Sequence, residues 1–181
     1  MAAQATIHRF LIQLSDVDRQ VYEALDLRVA RHPSESVRYF LTRTLAYVLS
    51  YEEGIAFSKG GLSQSDEPPV LVRDATGVLR AWIDVGVPSA DRLHKASKAA
   101  GRVAIFTHAD LAVLQREAAS RPIHKVEAIE VYLLGAALLD ALEKKIDRHT
   151  TMDVLRNDGR LYVTVDGETL EGEVTKASLV A

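Results

Sequence analysis

The nine residues from Leu79 to Val87 constrain the fold of this chain more than any other segment. Aliphatic side chains occupy every second position, and Trp82, Asp84 and Gly86 stand between them. A period of two is typical of a β-strand with one buried face. Asp84 is therefore predicted to share a face with Trp82, opposite the buried aliphatic row.

Periodicity and turn residues predict the remaining elements. Two strand-like segments, 5–14 and 20–30, are joined by a turn-rich connector, which predicts an amino-terminal β-hairpin. Further strands are predicted at 54–58, 70–73, 102–107 and 126–133. Helices are predicted at about 34–51, 89–101, 109–119 and 135–145. Turns at 157–159 and 166–167 predict closing β-hairpins.

This order of elements places the chain in the α/β (α+β) class. The sheet is expected to be mixed and flanked by helices, with β-hairpins added at both ends of the chain. The sequence has no polar linker long enough to separate two folding units. Residues 1–181 are therefore predicted to form a single domain.

The first helix has a recognisable start in the segment R-H-P-S-E-S. Ser34 is predicted to be the N-cap, because its hydroxyl can accept a hydrogen bond from a free amide of the first turn. Glu35 then falls in that first turn, where a carboxylate complements the helix dipole. Its side chain is expected to point away from the apolar stripe of the helix.

Composition limits the class of protein. The chain has 181 residues, 48% hydrophobic and 26% charged, which is ordinary for a globular protein with a core. It has no cysteine, which excludes disulfides and thiolate metal sites, and no apolar run long enough to span a membrane. We expect a cytoplasmic protein, and a monomer, because no apolar element is left over for an interface.

Four acidic residues are candidates for metal binding: Asp66, Glu67, Asp84 and Glu35. Carboxylates that converge at strand ends offer the hard oxygen ligands that Mg²⁺ and Mn²⁺ prefer, and a nearby amine would assist an attacking water. Lys95 is the candidate amine, because its helix leaves the Asp84 strand. The alternative is that the acids form a solvated turn and that Glu35 only serves the helix dipole.

The predicted helix 89–101 carries a basic stripe. Arg92, Lys95, Lys98 and Arg102 fall on one side of a helical wheel. Such a stripe contacts a phosphate backbone in some proteins and is a solvated helix face in most. Trp82, on the face of Asp84, is expected either to stack on a base or to pack in the core. The net charge of −3 argues against non-specific nucleic-acid binding.

Six segments together resemble the YaeQ family of small gram-negative bacterial proteins. They are R-H-P-S-E (31–35), F-S-K-G-G-L (57–62), D-E-P (66–68), W-I-D-V-G-V-P (82–88), R-L-H-K-A (92–96) and V-A-I-F-T (103–107). The resemblance implies a variation on the PD-(D/E)xK nuclease fold of Mg²⁺-dependent phosphodiesterases. It also implies that Asp66 and Asp84 are metal ligands, that Glu35 is the acid of the first core helix, and that Glu67 is an additional ligand or a structural neighbour.

The chain departs from the nuclease motif at one position. The motif lysine falls at Gly86, which has no side chain. Two hypotheses follow. Either Lys95 supplies the amine to a Mg²⁺-dependent nuclease, with Arg92, Lys98 and Trp82 contacting DNA or RNA, or the protein does not cleave and binds a nucleic-acid or protein partner through the same pocket.

Overall fold

The computed structural model describes residues 4–59 and 66–181. Within these ranges the chain forms ten strands and four α-helices, in the order that the sequence predicts. The strands are β1 (Thr6–Asp16), β2 (Val21–Arg31), β3 (Ile55–Phe57), β4 (Val70–Arg73), β5 (Leu79–Val85), β6 (Arg102–Thr107), β7 (Glu130–Leu134), β8 (His149–Asn157), β9 (Arg160–Val165) and β10 (Glu168–Ser178). The helices are α1 (Val37–Leu49), α2 (Ala90–Ala99), α3 (Leu111–Ala119) and α4 (Ala136–Glu143), and a 3₁₀ turn covers Val126–Ala128. The fold is therefore mixed α+β.

The chain divides into two compact units. Unit 1 consists of Met1–Thr44 and Leu134–Val174. Unit 2 consists of Leu45–Leu133 and Thr175–Ala181. None of the helices in the described ranges is long and apolar enough to cross a bilayer.

Unit 1 is built on strands in the order β2-β1-β8-β9-β10. The predicted amino-terminal hairpin is confirmed, with β1 and β2 antiparallel. The two closing hairpins are also confirmed, and Asp158, Gly159, Asp166 and Gly167 adopt the positive φ that tight hairpin turns require. Strand β1 also pairs with β8 in parallel, although the two lie far apart in sequence.

Alternate residues of these strands form the core of unit 1. Phe10, Ile12 and Leu14 are buried, as are Leu25 and Leu27 on β2. Their rings and aliphatic chains meet the first part of α1, where Phe40 contacts Phe10. Helix α4 approaches β10 closely, because Gly172 has no side chain to separate that strand from Leu138. One face of the sheet is thus covered by helices.

The predicted start of α1 is wrong by three residues. The helix begins at Val37, and Ser36 caps it, since its hydroxyl accepts a hydrogen bond from the Tyr39 amide at 3.1 Å. Ser34 lies in the turn before the helix and hydrogen-bonds the His32 ring. Glu35 therefore precedes the first turn instead of occupying it. The sequence offers two serines as caps, and the later one is used.

In unit 2, β3, β4 and β5 form an antiparallel meander, and β5-β6 and β6-β7 pair in parallel. The prediction that β5 has a single buried face is wrong, because Trp82 and Asp84 are as buried as Ile83. Leu93 and Ala96 of α2 pack against Trp82 in one hydrophobic cluster. Strand β5 is thus buried on both faces, as is usual beside a parallel neighbour.

Candidate functional site

Asp84 is the centre of the candidate site. It lies near the end of β5 and is 3% exposed. Its Oδ2 accepts hydrogen bonds from the indole Nε1 of Trp82 at 3.0 Å and from Nε of Arg92 at 2.7 Å. Its Oδ1 accepts a 3.3 Å contact from the Val85 amide. One carboxylate oxygen is therefore held by two strong donors, while the other is only weakly engaged by the described residues.

Arg92 connects three parts of the site. It stands in the first turn of α2, which Ser89 caps by accepting the Arg92 amide hydrogen at 3.1 Å. Its Nη2 donates to the backbone carbonyl of Glu67 at 2.8 Å, and its guanidinium lies 5.3 Å from the centre of the Trp82 ring. Arg92 thus fixes the loop that carries the acidic pair against the end of β5.

Lys95 lies one turn further along α2 and donates to the carboxylate of Asp66. Both side chains are exposed. The hydrogen bond and the charge of Lys95 lower the pKa of Asp66, and the nearby charge of Arg92 lowers it further. The structure therefore brings together four of the predicted site residues, Asp66, Asp84, Arg92 and Lys95, in two cation-carboxylate pairs.

Glu67 is half-buried, and its Oε2 accepts a 2.6 Å hydrogen bond from the hydroxyl of Ser58. Sequence reasoning missed Ser58, whose amide also donates to Pro69 and so ties the end of β3 to the start of β4. In the described ranges no three acidic or histidine side chains group as a metal cage. Mg²⁺, however, is usually held by one or two carboxylates plus waters and substrate phosphates, so a cage of three side chains is not required.

The residues predicted to contact nucleic acid lie in different surroundings. Trp82 is 2% exposed and packs in the core, so its ring is not open to a base. Lys98 is exposed in the last turn of α2, where a cation also complements the helix dipole. Arg102 leaves the predicted basic stripe, because it belongs to β6 and forms two hydrogen bonds with Glu130.

Glu35 belongs to unit 1, and its carboxylate is engaged there. Arg43 donates from Nε at 2.8 Å and from Nη2 at 3.0 Å, and the His32 amide adds a 3.3 Å contact. Glu35 is 3% exposed, so this is a buried ion pair. The predicted position of Glu35 in the first turn of the helix is therefore incorrect: the residue precedes α1, and its carboxylate is buried with Arg43.

Gly86 directly follows β5 and has a left-handed backbone conformation, with φ +86. Its amide donates to the carbonyl of Phe106 at 3.0 Å. A lysine at this position would carry the strain of a positive φ. The backbone after β5 therefore disfavours any residue with a side chain at this position.

Comparison with known proteins gives a consistent result. Residues 1–174 match the family model described as YaeQ protein. The uncharacterized protein YaeQ of Escherichia coli K12 is 29% identical over 177 residues, covering 97% of each chain. The crystal structure of a YaeQ protein from Pseudomonas syringae superposes with TM-score 0.85 at 30% identity, covering 96% of each chain. That of Xanthomonas axonopodis pv. citri gives TM-score 0.86 at 29% identity, covering 96% of this chain and 98% of the other.

Proposed function

This chain belongs to the YaeQ family, and we propose that it is a Mg²⁺-dependent phosphodiester hydrolase of the nuclease type. We include in the proposal that its core is a variation on the PD-(D/E)xK fold. The element order α1, β3-β4-β5, α2, β6 supports this, because it places the two acids on one meander and the basic helix directly after it. Fold alone does not establish activity, so the proposal depends on the site.

The contact between Lys95 and Asp66 carries the proposal. These residues are 29 positions apart, and α2 brings the amine to the first acid of the pair. Gly86 cannot supply an amine, so Lys95 takes the position of the catalytic cation. An ammonium group beside a metal-binding carboxylate can orient the attacking water or stabilise the negative charge that develops on the phosphate.

The orientation of Asp84 adds support. Trp82 and Arg92 both hold Oδ2, which turns the carboxylate into a fixed group with Oδ1 as its less engaged oxygen. Hydrogen-bonded partners of this kind orient metal-binding carboxylates in other proteins. Asp66 and Asp84 would hold Mg²⁺, which when bound supplies charge stabilisation at the phosphate and lowers the pKa of a bound water.

Each residue of the site has a separate role in this proposal. Asp84 is positioned by Trp82 and Arg92, and the hydrogen bond from Lys95 lowers the pKa of Asp66. Lys98, exposed on the same helix, is the residue that would contact the substrate backbone. DNA or RNA is the expected substrate.

Calorimetric titration of Mg²⁺ and Mn²⁺, with and without a single-stranded oligonucleotide, tests the proposal. We expect binding to the wild type, and at least tenfold weaker binding to Asp66→Ala and to Asp84→Asn, which keeps the shape of the buried side chain. Asp91→Asn is the matched control, because Asp91 is an exposed acid on α2 that pairs with Arg121. Lys95→Ala should bind the metal and fail to hydrolyse the oligonucleotide.

Two results would refute this assignment: a wild type that binds neither ion under both conditions, or an Asp84→Asn variant that binds as the wild type does. A second candidate function is a non-catalytic protein that binds a nucleic-acid or protein partner at this site. It is favoured by one observation, namely that Asp66 and Asp84 each already has a cationic partner within the chain. Oligonucleotide binding that persists in EDTA and shows no turnover would identify it.

A further inference from the structure

The outward face of the unit 1 sheet carries a row of cations. Arg9 on β1 lies directly opposite Arg28 on β2 and directly opposite His149 on β8. Neighbouring strands are about 4.8 Å apart. Two arginines in this position repel each other, and directly opposed like charges destabilise a sheet. The Asp26 carboxylate offsets part of this repulsion, because the hydrogen bond from Arg9 and the charges of Arg9 and Arg28 lower its pKa.

Internal ion pairs neutralise this row only in part. Arg9 forms two hydrogen bonds with Asp26, at 3.0 and 2.8 Å. Arg28 and the neighbouring Arg148 are exposed, and neither guanidinium forms an ion pair with any residue in 4–59 or 66–181. Asp147 is the other nearby acid, and its Oδ1 accepts the His149 amide hydrogen as the chain enters β8.

The cationic residues of this row line a pocket of about 290 Å³, which we call the phosphate pocket. Its lining consists of Arg9, Arg28, Arg148, His149 and the apolar side chain of Ile7. Three arginines and a histidine thus line one concave surface, where the Arg9 guanidinium is held by Asp26, and none of its described lining residues is acidic. Guanidinium groups are suited to bidentate contacts with phosphate oxygens.

A second pocket of about 410 Å³ follows along the same face. Leu11 and Gln13 of β1 line it, together with Asp26, Thr151 and Asp153. Successive outward-facing residues of one strand are about 7 Å apart, so the distance from the first pocket to the second is about the length of one sugar ring. Its acids and amide accept hydrogen bonds from hydroxyl or amino groups, and they repel a second phosphate.

We propose that this face of unit 1 binds a phosphorylated small molecule. Its phosphate occupies the phosphate pocket, and hydroxyl or amino groups of its body are bound by Gln13, Thr151 and Asp153. The acids of the second pocket disfavour a nucleic-acid strand, in which phosphates repeat along the chain. This inference does not rest on the phosphodiesterase proposal, whose residues belong to unit 2.

Calorimetry with ribose 5-phosphate, inorganic phosphate and ribose tests the site. We expect ribose 5-phosphate to bind more tightly than inorganic phosphate and ribose not to bind. Arg28→Gln and Arg148→Gln should each weaken binding of both phosphates by about tenfold or more, since each removes a charge-assisted hydrogen bond. Asp153→Asn should weaken the binding of ribose 5-phosphate and leave the binding of inorganic phosphate unchanged. Arg116→Gln, which removes an exposed arginine of α3 in unit 2, is the matched control and should bind as the wild type.

Thermal unfolding without ligand checks the variants. Arg28→Gln should melt no lower than the wild type, because it relieves the repulsion from Arg9. The proposal fails if neither phosphate compound binds, if the arginine variants bind as well as Arg116→Gln, or if inorganic phosphate binds as tightly as ribose 5-phosphate. Binding of a single-stranded oligonucleotide through Arg28 and Arg148, in preference to ribose 5-phosphate, would overturn it in favour of a nucleic-acid surface.

Discussion

Removing the cation from the buried pair Arg92–Asp84 should destabilise the protein strongly. The Asp84 side chain is 4% exposed and the Arg92 side chain 21% exposed. Deleting one partner of a buried ion pair typically costs about 3–5 kcal/mol, because a charge is left buried without compensation. For Arg92→Leu we expect the lower end, about 3 kcal/mol, since Trp82 still donates to Asp84. This corresponds to a melting temperature roughly 6–12 °C lower.

Removing the carboxylate of Asp84 should lower the free energy of unfolding by less than removing Arg92. In Asp84→Asn an amide oxygen still accepts from Trp82, and Arg92 is exposed enough to reach water, so we expect a loss of about 1–2 kcal/mol. The double variant Arg92→Leu/Asp84→Asn should be more stable than the sum of the single changes predicts, because a neutral amide needs no cation.

Urea unfolding measures these differences. Trp82 is the single tryptophan of the chain and contacts both residues, so its fluorescence reports directly on the site. Circular dichroism should give coincident transitions, which justifies a two-state treatment. An Arg92→Leu variant within about 1 kcal/mol of the wild type, or strictly additive single changes, would refute the reasoning.

Two further predictions concern stability. Gly54→Ala should lower the free energy of unfolding by at least about 3 kcal/mol, because φ is +90 and a Cβ would lie 2.0 Å from the Arg73 carbonyl oxygen. Gly77→Ala has a similar φ of +87 but open space around it, so it should cost about 1 kcal/mol. Equal losses for the two variants in urea unfolding would contradict this prediction. Burial raises the pKa of Glu130, but hydrogen bonds from Arg102 and Tyr132 outweigh it and bring the pKa below its ordinary value of 4.5. A lowered pKa stabilises the fold above the unfolded value, and this stability is lost as the pH falls through the folded value. Glu130→Gln should therefore lower the free energy of unfolding more at pH 7 than at acidic pH, and the difference between the two losses should be less than about 1 kcal/mol. A larger loss at acidic pH would exclude this role.

Local patterns predicted the order of elements because periodicity and turn residues depend on near neighbours in the sequence. They predicted the start of α1 less well, since Ser34 and Ser36 are equally good caps. Glu35, which lies between the two serines, is held in the core by Arg43, eight residues further along the chain. A contact between a residue before the helix and one inside it leaves no periodic trace.

The candidate site shows the same limit. Asp84 and Trp82 were predicted to share one face of β5, and they do, but the alternation suggested that this face was less buried than the other. Burial there depends on Arg92, which neutralises Asp84 from α2, and on Leu93 and Ala96, which cover Trp82. The sequence identifies the charged residues, whereas their pairing depends on how α2 packs. The parallel pairing of β1 with β8 was likewise inaccessible, because neither strand carries a mark of its distant partner.

The left-handed residue at the end of β5 has a consequence for attempts to engineer this family. Placing a lysine at the motif position of the proposed nuclease fold, by Gly86→Lys, would require a bulky residue to adopt φ +86 while keeping the hydrogen bond to Phe106. The backbone would have to be redesigned before the side chain was of any use. The proposed hydrolase activity should therefore be altered through position 95 of the following helix, where lysine lies in ordinary helical backbone.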